Sequence, residues 1–70
     1  MATVRNWDTD EDVVVKVGDW VGFKCDVEQS GEIYKIEGNR LYLRSGAMGF
    51  QGGYIGGKDE TVEMAQDCYI

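Results

Sequence analysis

Between Val13 and Arg44 the chain sets short β-branched and aromatic runs, V-V-V-K-V, W-V-G-F-K-C, E-I-Y-K-I-E and R-L-Y-L-R, against Gly, Asp, Asn and Ser. Side chains branched at Cβ and aromatic rings suit a pleated, half-buried surface, and glycine with short polar residues supplies the turns between strands. In 70 residues this punctuation leaves room for a β-meander and little else. No stretch carries a convincing 3.6-residue period, so no substantial helix is expected. A chain of this length forms one domain and buries only about 60% of its unfolded surface.

The runs translate into specific elements. Val13–Val17 is expected to be extended. Gly18-Asp19 reads as a turn. Trp20–Cys25 alternates, with Val21, Phe23 and Cys25 assigned inward and Trp20, Gly22 and Lys24 outward. Ile33 and Ile36 in Glu32–Glu37 are three apart, which breaks strict alternation and predicts a bulge or a strong twist. Gly38-Asn39 closes a tight hairpin. Arg40–Arg44 is the cleanest strand, with Leu41 and Leu43 inward. Ser45–Lys58 has six Gly in fourteen residues and reads as a long loop or a bent hairpin. Thr61–Met64 is a further strand, Ala65–Asp67 a single 3₁₀ turn and Cys68–Ile70 a closing strand. The expected core is Val15, Val17, Val21, Phe23, Ile33, Ile36, Leu41, Leu43, Val62, Met64 and Cys68.

Charge narrows the partners. The formal net charge is −6. Residues 1–12 hold one base, Arg5, against four acids, a net of −3, and read as an acidic flexible leader ahead of a 13–70 domain. Such a balance disfavours a general grip on phosphate backbones and better fits a basic partner, or one whose binding does not depend on charge. The N-terminus lacks the apolar stretch of a secretion signal, and no apolar run approaches the roughly 20 residues that span a bilayer. A cytoplasmic, membrane-free protein is therefore expected.

Residues 13–70 resemble an SH3-like small β-barrel of the KOW/Tudor type. The resemblance is carried by V-x-V-G-D-W-V-x-F (15–23), S-G-E-I (30–33), G-N-R-L-Y-L (38–43) and A-Q-D-C-Y-I (65–70). In size, acidity and strand layout the chain is also similar to small acidic accessory proteins of bacteriophages and bacteria, for which the location would be the host cytoplasm. The resemblance implies an all-β, five-stranded barrel whose first and last strands are adjacent. It also implies binding through the outer sheet face and the long loops.

Candidate binding residues follow from the pattern. A period-two strand projects Arg40, Tyr42 and Arg44 to one side. Trp20, Lys24 and Tyr34 join that surface if the strands pair in sequence order. Guanidiniums beside a phenol suit stacking or carboxylate pairing, and equally suit a solvated sheet face stiffened by cross-strand pairs. Phe50 and Tyr54, held among glycines, suit a binding loop that orders on contact, or a twisted hairpin needing glycine at its bulges. The expected function is a non-catalytic protein-interaction module acting through Trp20, Tyr34, Arg40, Tyr42, Arg44, Phe50 and Tyr54. A KOW-like nucleic-acid-binding module and a structural subunit of a larger assembly are the alternatives. The oligomeric state is open.

Other chemistries find little footing. The chain has no His, the commonest general base. Asp8–Asp12 opens like an EF-hand loop, but Val13 stands where the loop needs Gly. No cofactor or metal is expected. Cys25 and Cys68 fall on the first and last barrel strands, where a disulfide is geometrically allowed, while two reduced, buried thiols suit a cytoplasmic protein.

Overall fold

The computed structural model describes residues 2–24, 29–44, 55 and 59–70. Within them the chain forms β1 (Thr3–Arg5), β2 (Asp12–Val14), β3 (Trp20–Phe23), β4 (Gln29–Glu37), β5 (Arg40–Arg44), β6 (Glu60–Met64), a 3₁₀ turn (Ala65–Asp67) and β7 (Cys68–Tyr69). All seven strands belong to one sheet in the order β2-β1-β7-β3-β4-β5-β6. Neighbours are antiparallel except β1 and β7, which run parallel.

The connection from β6 to β7 sets the curvature. These strands lie four places apart in the sheet, about 19 Å if it were flat at ~4.8 Å per strand. The 3₁₀ turn between them advances only about 8 Å from Met64 to Cys68. The sheet must therefore roll, and its concave side holds the core: Ala2, Val4, Val15, Val21, Phe23, Ile33, Leu41, Leu43, Ile55, Ala65 and Cys68, with Ile36 packed against it. β3 and β7 are adjacent, with Phe23 opposite Cys68.

The five-stranded barrel expected from the sequence is instead a seven-stranded mixed sheet that does not close on itself among the described residues. Of the two extra strands, β1 comes from the segment read as a leader, while β2 takes the last leader residue, Asp12, and the first two residues of the Val13–Val17 run expected to be extended. Ala2 and Val4 alternate with Thr3 and Arg5, and the first pair is buried. Asn6 Oδ1 accepts the N–H groups of Asp8 and Thr9 at 2.9 and 3.1 Å, and Asn6 N–H donates to the Glu11 carbonyl at 2.8 Å. An Asx turn thus folds the acids into a hairpin loop. The loop closes with Asp10 at φ 60° and an exposed Arg5–Asp10 ion pair at 3.3 Å.

Other local expectations meet the structure directly. In β4, Ile33 faces Leu43 and Lys35 faces Tyr42, so Tyr34 is the additional residue of a bulge. The β4–β5 turn has φ +62° at Gly38 alone, the arrangement of a II′ turn with Gly first. Lys24 adopts φ 58° and ends β3, so it leaves the registered face. Val17, Val62 and Met64, expected in the core, are exposed. Val17 sits where the Asp19 N–H donates to the Lys16 carbonyl and the chain reverses. β6 pairs with β5 so that Val62 faces Tyr42 and Met64 faces Arg40. Cross-strand partners share a face, and burial of Leu41 and Leu43 turns Val62 and Met64 outward.

Candidate functional site

The convex side of β3–β6 gathers five of the predicted site residues. Trp20 stands opposite Glu32. Glu32 stands opposite Arg44, Tyr42 opposite Val62 and Arg40 opposite Met64. The Tyr34 bulge lies alongside, its ring 6.1 Å from that of Tyr42 in an edge-on arrangement. Phe50 and Tyr54 lie outside the described residues.

Both phenol rings on this face are held by charged groups. The Tyr42 hydroxyl donates to Glu37 Oε1 at 3.0 Å, and Lys35 Nζ sits 5.0 Å from the Tyr42 ring centre and 3.4 Å from Glu37 Oε2. The Tyr34 hydroxyl donates to Glu60. Arg44 lies 6.0 Å from the Tyr34 ring centre and donates through Nε to Glu32 Oε1 at 3.2 Å. The hydrogen bond to Glu60, with smaller help from desolvation and the Glu60 charge, raises the Tyr34 pKa above 10.0. The Tyr42 hydroxyl, followed by Lys35, holds the Glu37 carboxyl below its ordinary value of 4.5. Arg40 has no ion-pair partner within 4.0 Å among the described residues. Tyr34, Arg44, Asp59 and Glu60 also line a shallow cleft of about 370 Å³.

Sequence reasoning missed two parts of this surface. Val62 and Met64, 49% and 38% exposed, add an apolar strip beside Tyr42. Only the β5–β6 register reveals them, because their hydrophobicity alone reads as core. The carboxylates that occupy Arg44 and both phenols were the second omission.

A separate aromatic pair lies further along the sheet. Trp7 packs against Tyr69 with ring centres 5.3 Å apart and planes tilted by 48°, and its backbone N–H donates to the Ile70 carbonyl at 2.8 Å, yet the residue stays 65% exposed. Tyr69 lies across Gly22, where a Cβ would come within 2.6 Å of the ring. A glycine inside an aromatic strand was the available signal of that close approach. Beside this pair, Arg5, Asp12 and Asp67 border a cleft of about 500 Å³.

Cys68 is a free, buried thiol that donates to the Met64 carbonyl. Burial, reinforced by Glu63 and Asp67, pushes its pKa up to about 12. Such a thiol stays protonated and packs as a small hydrophobe. Cys25 lies outside the described residues. Among those described, no group of three or more His, Cys, Asp or Glu is placed to hold a metal ion, and no helix is long and apolar enough to cross a membrane. The chain matches no protein-family model, no curated protein and no solved structure among those compared.

Proposed function

We propose that this chain is a non-catalytic protein-interaction module with an SH3-like plan, of the kind found in small phage or bacterial accessory and inhibitor proteins. The five strands β3–β7 support the plan by their meander order, the 3₁₀ turn before the last strand and the β3–β7 pairing. The function rests on one observation: Tyr42 is flanked across the strand by exposed Val62, with Met64 beside it, inside a ring of charged residues. An apolar and aromatic centre within a polar rim is the layout that concentrates binding energy at protein interfaces. Trp20, Tyr34, Arg40 and Arg44 complete the surface, and the net charge of −6 steers a basic partner toward it.

A nucleic-acid contact is the weaker reading. Arg44 and Lys35 already face Glu32 and Glu37, so phosphates would have to displace carboxylates. The test is a pull-down from a lysate of the source cell, with and without nuclease, comparing wild type with Tyr42→Ala/Arg44→Ala. A discrete protein that survives nuclease and is lost from the variant supports the interaction module. Capture that vanishes with nuclease supports nucleic-acid binding instead, and identical capture by the variant removes this face from the account.

A further inference from the structure

β6 is terminal in the sheet, and its main packing partner is β5. Its hydrogen-bonding pattern can be read from one bond. The Ala65 N–H donates to the Asn39 carbonyl at 2.7 Å, which makes Asn39 and Ala65 a hydrogen-bonded pair in the ladder that continues as Arg40–Met64 and Leu41–Glu63. Such pairs alternate along an antiparallel ladder. Thr61 and Glu63 therefore bond to β5, while Glu60, Val62 and Met64 direct their backbone groups to the open edge. The Met64 carbonyl is taken by the Cys68 thiol. That leaves three N–H groups and two carbonyls facing outward, with no strand paired to them among the described residues.

We propose that this edge receives an extended segment of a partner protein in which basic and apolar residues alternate. The inference rests on the interaction-module reading and specifies the partner's chemistry. An added strand would share faces with β6: its outer side chains would lie against Val62 and Met64, and its inner ones against Thr61 and Glu63. Glu63 is half-buried on that inner side; its Oε2 accepts the Thr61 hydroxyl at 3.0 Å, and no base pairs with it among the described residues. Residues 59–70 hold four acids and no base. The complement is a strand with apolar residues outward and Lys or Arg inward. A second copy of this chain fits poorly, since it would bring a further −6 and its own inward-pointing Glu63 to the same edge, a charge that opposes self-pairing.

The test uses the full chain, ¹⁵N-labelled, with the capped peptides (Lys-Val)₄, (Glu-Val)₄ and (Lys-Ser)₄. Saturating (Lys-Val)₄ is expected to slow amide exchange at Glu60, Val62 and Met64 about tenfold, leaving Thr61 and Glu63 unchanged because β5 already protects them. Binding by (Glu-Val)₄ and (Lys-Ser)₄ should be at least about tenfold weaker. Pro is tolerated on an edge strand where its missing N–H faces outward, so Val62→Pro should keep the fold and lose at least about tenfold in (Lys-Val)₄ affinity. Glu63→Lys, which does not depend on proline tolerance, should shift preference to (Glu-Val)₄. Equal binding of all three peptides, or protection absent from the alternating amides, overturns the proposal. So does protection that grows with protein concentration alone, because a second copy would then fill the edge. The two readings fail separately: (Lys-Val)₄ bound with shifts only at Trp20, Tyr34 and Tyr42 sinks the edge and leaves the face, whereas alternating protection at β6 with full partner capture by Tyr42→Ala/Arg44→Ala does the reverse.

Discussion

Gly22 shows how one missing side chain organises its neighbours. Tyr69 lies across it, and Trp7 packs at a tilt against Tyr69. Gly22→Ala would place a methyl 2.6 Å from the ring, so the ring must move and the aromatic pair is lost, at about 0.5–1.5 kcal/mol. We expect lowered thermal stability and shifted Tyr69 ring resonances, and unchanged resonances would refute the close approach. Titration reads two groups on the convex face, the Tyr34 phenol and the Glu37 carboxyl. Tyr34 has a raised pKa, so its contribution to stability is complete below 10.0 and is lost as pH rises through the folded value. Glu37 has a depressed one, so its contribution is present above 4.5 and is lost as pH falls through the folded value. The phenolate titration of wild type minus that of Tyr34→Phe should show a component with its midpoint above 10.0. A midpoint at or below 10.0 would mean that the Glu60 hydrogen bond is absent in solution.

Among the elements, β5 and β6 differ in how far the sequence reveals them. Arg40–Arg44 alternates between long polar and branched apolar residues, so its faces are legible without a structure. The same holds for the Tyr34 bulge, announced by Ile33 and Ile36, and for the Ala65–Asp67 turn. β6 is opaque because Val62 and Met64 are its most apolar residues, yet pairing with β5 turns them to solvent. The N-terminal strand was hidden differently: Ala2 and Val4 make a two-residue alternation too short to stand out before four acids. A pair of substitutions separates the faces. Leu43→Ala should destabilise by about 2–5 kcal/mol, whereas Val62→Ala should stay within about 0.5 kcal/mol, both measured by denaturant unfolding. Equal costs would mean that β6 is registered the other way.

The whole molecule depends on its first residues more than their composition suggests. A chain of this size has little stability in reserve, and β1 covers the parallel side of β7 while Val4 fills the core. Truncation at residue 13, harmless if 1–12 were a leader, is expected to expose the Cys68 edge and abolish cooperative thermal unfolding. A truncated chain that melts as wild type does would show that β1 and β2 are dispensable. The candidate site was legible as far as strand pattern reaches: Arg40, Tyr42 and Arg44 follow from one strand, and Trp20 and Tyr34 from sequential pairing. Val62, Met64 and the carboxylate partners emerge only once strands from different parts of the chain are in register. The interface proposed on the convex face of β3–β6 can be mapped by hydrogen–deuterium exchange of the chain with and without its captured partner. Protection concentrated over residues 29–44 and 60–64 is the expected result; protection confined to 2–15 and 65–70, around Trp7 and Tyr69, would rule that interface out.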